Sequence, residues 1–184
     1  ELEPELELEL ELQLVEEPLP LELELELLQL VEELVPQELL LLEEEVFHDR
    51  EFRDALVDAA SSLSVGSAWN LRTKMGPPIR PPAGDLARGI KVLEPGESWA
   101  LLPRDLEDNP CLYSPGIKWN VARGSFTHLT ELFGPVLGVM PYRDLSEAVD
   151  LVHETGFGLT SGLESLDERE QREWLERLQA GNLY

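Results

Sequence analysis

The stretch TELFGPVLGVM, residues 130–140, decides how the rest of the chain is read. A lone carboxylate, Glu131, and an aromatic, Phe133, stand just before a Gly134-Pro135 corner, and an apolar run follows. Proline fixes φ and cannot donate to a ladder, so the corner ends what precedes it and a strand begins behind it. GPVLGVMPYR, 134–143, is accordingly a strand. It leads into DLSEAVDLVHET, 144–155, a helix with Asp144 as N-cap and Glu147 completing a capping box. The arrangement suits presentation of Glu131 and Phe133 to a ligand. On spacing alone the plainer reading stands beside it: Glu131 a surface loop residue, Phe133 a core residue at the strand's start.

The alternation extends both ways. Downstream, FGLTSGLES, 157–165, reads as a strand and residues 167–179 as a helix closed by Gly181. NLY then opens another strand where the chain stops, which reads as a fragment. Upstream, QELLLLEEEVF, 37–47, is a short buried strand running into a polar edge. DREFRDALVDAASSL, 49–63, places Phe52, Leu56, Ala59 and Leu63 on one helical stripe. The prolines of GPPIRPPAG, 76–84, make a rigid loop, and DLARGIKVL, 85–93, is a helix with Asp85 at its N-cap. SWALLPRDL and LYSPGIKWNV are strand-like. Strands alternating with helices predict an α/β domain with a largely parallel sheet.

The net charge of −24 is not spread evenly. Residues 1–45 hold 17 Glu and no Lys, Arg or Asp, leaving 21 acidic residues against 14 basic, a net of −7, for the remainder. In this head QLVEE occurs at 13–17 and again at 29–33, and Pro4, Pro20 and Pro36 recur at the same interval. Its Glu/Leu alternation is the strand period, yet both residues favour helices, and a slip of two residues restores the same faces. The expectation is a disordered or loosely β head, 1–45, followed by an α/β domain, 46–184. Such acidity argues against nucleic acid and anionic membranes as partners. No apolar run is long enough to span a bilayer. One cysteine and no basic leader point to the cytoplasm.

Little local chemistry is visible. Cys111 lies in a Pro-flanked loop with nothing nearby to lower its pKa, and it reads as structural or incidental. His48, His128 and His153 show no ligand spacing, so no metal site is expected; His153 suits the last turn of its helix. Phosphate-loop, dinucleotide-loop and hydrolase-elbow motifs are absent. The alternating charges of 167–177 read as a solvated, ion-paired face.

TELFGPVLGVM resembles the E-x-F-G-P motif of the aldehyde dehydrogenase superfamily, and the likeness continues through DLSEAVDLVHETGFGLTSGLESLDEREQREWLERLQAGNLY. GLTSGLESLDEREQREWLERLQAGNLY is similar to the Δ1-pyrroline-5-carboxylate (L-glutamate γ-semialdehyde) dehydrogenase branch. LEPGESWALLPRDLEDNPCLYSPGIKW resembles the dehydrogenase half of the bifunctional proline-utilisation proteins. The resemblance covers about residues 37–184 and implies a partial catalytic subdomain with a small-molecule aldehyde and NAD as its ligands. The parent enzyme would be a homo-oligomer oxidising L-glutamate γ-semialdehyde to L-glutamate. It implies that Glu131 hydrogen-bonds the nicotinamide ribose and that Phe133 packs beside the nicotinamide.

The family also needs a cysteine that attacks the aldehyde and an upstream Glu that activates water. Counting back from EEEVF places the nucleophile near Leu34, where no Cys stands, so no catalytic residue is assigned. Losing a covalent nucleophile removes on the order of 10⁶ in turnover, and the chain itself is expected to be inactive. The alternatives are a non-catalytic interaction protein that uses its acidic arm, or a sequence artefact.

Overall fold

A computed structural model describes residues 39–106 and 109–184. The expectation for the head up to residue 38, and the position of Leu34, lie outside the described residues. The last residues of the head, Leu39 onward, lie inside them.

A four-stranded sheet forms the centre, in the order β1-β4-β3-β2, with β1 Leu39–Glu43, β2 Ser98–Leu101, β3 Gly116–Trp119 and β4 Val136–Tyr142. β4 runs parallel to both its neighbours, opposing Leu41 with Met140 on one side and Lys118 with Gly138 on the other. β2 is antiparallel to β3. The sheet is thus largely parallel and covered on both faces, as strands this apolar require. On one face Leu42, Ile117 and Val139 pack under α1 (Glu44–His48) and α2 (Arg50–Ser62), with Phe47 stacked on Trp119. On the other, Val121 and Met140 meet Leu151 of α5 (Leu145–Glu154).

The stripe expected in 49–63 forms α2, capped by Asp49, with Leu56 wholly buried. The helix expected at 85–93 is α3, Gly84–Lys91, but Asp85 is not its cap: Ala83 takes that place, and Asp85 acts through its charge in the first turn. Asp144 does cap α5, accepting from Glu147 N at 2.9 Å. Glu147 reaches one residue beyond the expected box, because Arg143 captures it through both its backbone N–H and its guanidinium.

The C-terminal unit differs more. FGLTSGLES contributes only the short β5, Thr160–Ser161, paired in parallel with β6, Asn182–Leu183. The final helix, α6 (Glu168–Arg177), ends at Leu178 in an extended conformation, so Gly181 does not close it. Gly181 instead donates to Gly158 O at 2.9 Å, just ahead of β6. α6 packs Trp174 and Leu178 on Val149 of α5.

Candidate cofactor-facing corner

The corner grows out of a short helix, α4 (Phe126–Leu129), capped by Ser125. Leu132 is buried with Ile90 and Val136, which turns its two neighbours outward. Gly134 O accepts from Val136 N at 2.9 Å, and Pro135 O accepts from Gly116 N at 2.8 Å, so the turn is pinned to β3. Helix α3 lies against it with no room to spare. A Cβ on Gly89 would stand 2.5 Å from Leu132 Cδ1, and one on Gly134 would collide with Leu86.

Lys118 of β3 locks this helix in place. It is fully buried, with Nζ 2.7 Å from Val92 O, 3.0 Å from Thr127 Oγ1 and 3.1 Å from Glu97 Oε2. Val92 is the C-cap of α3, so a single ammonium ties β3, α4 and α3 together. Nothing in its spacing marked Lys118 as buried; its place within the apolar GIKW was the only trace.

Glu131 lines a cleft of about 610 Å³ that runs beside β1, together with Thr130, His128 and residues of α5 and β5. Its carboxylate accepts no hydrogen bond among the described residues. Phe133 is 76% exposed with φ +52°. It is therefore not the core residue that spacing alone suggests, because Leu132 takes the inward position.

His128 is buried beneath the corner and serves structure. Gly124 N donates to its Nδ1 at 2.9 Å, so Nε2 carries the proton and donates to Leu151 O at 2.9 Å. With both nitrogens engaged the ring is a structural strut. His153 lies in the last turn of α5 and accepts from Gln179 N at 3.2 Å. Cys111 is partly buried and does not line the cleft. Among the described residues no group of three or more His, Cys, Asp or Glu could hold a metal, and no helix is long and apolar enough to cross a membrane.

Burial pushes the Tyr142 phenol, at the cleft wall, up to about 12, with Glu43 and Glu170 adding to the effect. Its hydroxyl therefore stays protonated through neutral pH.

Comparison with known proteins gives consistent results. The sequence model described as "Aldehyde dehydrogenase family" matches residues 36–184. The structure of Proline Utilization A from Corynebacterium freiburgense is similar at 45% identity and a TM-score of 0.75, over 80% of this chain and 15% of that one. Proline utilization A from Bdellovibrio bacteriovorus shares 26% identity at a TM-score of 0.68, again over 80% and 15%. The protein named N-succinylglutamate 5-semialdehyde dehydrogenase from Hahella chejuensis is 39% identical over 135 residues, 68% of this chain. The chain spans 26% of that relative's length.

Proposed function

The chain belongs to the aldehyde dehydrogenase family, and on that premise we propose that its Glu131–Phe133 corner is the nicotinamide-ribose end of an NAD site. The carrying observation is Phe133 itself, a bulky residue held in left-handed backbone with its ring turned outward. That conformation costs an L-residue about 1–2 kcal/mol. Such outliers gather at ligand clamps, where surrounding packing enforces them. Here the enforcement comes from α3 behind Leu132 and Gly134.

The groups fit the cofactor. Glu131 offers two carboxylate oxygens that accept no hydrogen bond among the described residues, suited to the paired hydroxyls of a ribose, and Phe133 offers an apolar face to the nicotinamide ring. When bound, NAD supplies the hydride acceptor. The chain's own residues hold the sugar and orient the ring; Lys118, through α3, keeps the corner from relaxing.

For the whole enzyme we assign NAD-dependent oxidation of L-glutamate γ-semialdehyde to L-glutamate. The likeness to proline-utilisation proteins supports that aldehyde, and the Hahella relative's name supports the same carbon skeleton. This chain alone is inactive, because its only thiol, Cys111, lies off the cleft and Leu34 stands where the nucleophile belongs. Incubated with NAD⁺ and the semialdehyde, the purified chain forms no reduced cofactor. Formation above the blank would overturn that part of the assignment.

A further inference from the structure

Building on the reading of the corner as an NAD site, we propose that Lys118 is a positioning residue for the cofactor. Its buried ion pair with Glu97 is kept to fix the Glu131–Phe133 corner, and through it the affinity for NAD, more than for net stability. Ile117 and Trp119 pack in the core under α2, so Lys118 between them faces the other side of β3. An ammonium has three N–H donors and no acceptor. Three acceptors surround this one, each on a different segment: Val92 O at the end of α3, Thr127 Oγ1 in α4, and Glu97 Oε2 in the turn ahead of β2. Donors and acceptors match in number, which leaves the side chain one way to sit.

The segments so joined bound the corner. α4 runs into it through Leu129 and Thr130. Within α4, the Thr127 hydroxyl takes Lys118 while its methyl stands 3.3 Å from the place a Cβ on Gly138 of β4 would occupy. α3 backs the corner, with Gly89 against Leu132 and Leu86 against Gly134. β3 holds its far end through Gly116 N and Pro135 O. The ammonium also lies 5.5 Å from the Trp99 ring, which packs with Ile90, Leu132 and Val136. All three acceptors lie outside residues 131–135, so Lys118 acts on the corner through these elements.

For stability alone the pair is a poor device. Glu97 Oε1 is buried and has no hydrogen-bond partner among the described residues, a desolvation left uncompensated. Met and Gln at the two positions would fill similar space without charge. They would not supply a directed tie between α3, α4 and β3, and buried polar groups can be retained for such a unique geometry.

The test measures NAD⁺ binding by ligand-detected NMR, and stability by denaturant unfolding, on the full chain and its variants. Lys118→Met with Glu97→Gln should unfold near the parent's midpoint yet bind NAD⁺ about fivefold more weakly. Met140→Ala, whose side chain packs toward α5, should unfold earlier and still bind as the parent does. Thr127→Val removes one acceptor and keeps the shape; it should weaken NAD⁺ about threefold, and Thr127→Ser should bind as the parent does. Parent affinity in the double variant or in Thr127→Val, or equal weakening by Met140→Ala, overturns the proposal. If the double variant does not fold, the contrast between Thr127→Val and Thr127→Ser decides. The NAD reading of the corner fails separately, through no binding by the parent or equal affinity of Glu131→Gln. Amide exchange at Val136 and Gly116, the donors that pin the corner, then decides whether Lys118 positions it. Acceleration in the double variant beyond that in Met140→Ala supports the role, and unchanged exchange overturns it.

Discussion

Val139 and Met140 in β4 are sealed between two packed faces, whereas Phe133, a few residues earlier, stands exposed in left-handed backbone. The strand holds what its apolar sequence prefers. The corner holds what its sequence would avoid, with α3, tied down by Lys118, packed close behind it. The contrast separates residues kept for burial from residues kept for presentation, and substitutions should divide along the same line.

The largest effect belongs to the prop. Lys118→Met leaves Glu97 buried without its partner and should cost about 3–5 kcal/mol in denaturant unfolding. Adding Glu97→Gln should recover most of that loss, since a buried pair is rarely better than its neutral replacement. Met140→Ala in β4 should cost about 3 kcal/mol through the cavity it leaves. Gly134→Ala forces Leu86 to move and should cost about 1–3 kcal/mol, with the loss appearing first as faster hydrogen exchange in α3. Phe133→Gly, by contrast, should leave the chain unchanged or raise its stability by about 1 kcal/mol by relieving the positive φ. A loss as large as that of Met140→Ala would mean that Phe133 is packed and not presented.

The smallest effect is electrostatic. Arg169 holds the Asp167 carboxyl down at about 2, and Arg143 and Arg123 depress Glu147 and Glu154. These are carboxylates with lowered folded-state values, so their stabilisation is complete above the ordinary values near 4 and is lost as pH falls toward about 2. Being exposed, the pairs are screened by salt. Thermal midpoints of the parent and of Arg169→Gln should therefore converge at low pH, and the gap at neutral pH should shrink in high salt.

Much of the fold could be read from local signals. The Gly-Pro corner, the apolar run behind it and the Asp144 cap are contiguous, and β4 and α5 stand where those residues place them. Reading failed where the deciding partner is distant. Gly181 looks like a helix cap, but its N–H goes to Gly158 O and it leads into β6 instead. Lys118 looks like a solvated strand residue until Glu97 and the Val92 carbonyl are brought to it by the sheet. Phe133 looks like core because alternation cannot reveal a positive φ, which here goes with the close packing of Leu86 on Gly134 and of Leu132 on Gly89. For Glu131 the local arrangement allowed presentation to a ligand or a plain surface loop alike, and only the resemblance of its motif favoured the first.

The most direct test is a ligand-detected NMR titration of the full chain and of Glu131→Gln with NAD⁺. The account predicts weak binding by the parent, reduced about tenfold or more in the variant, as loss of a charge-assisted hydrogen bond implies. Equal affinity in the two proteins would contradict it.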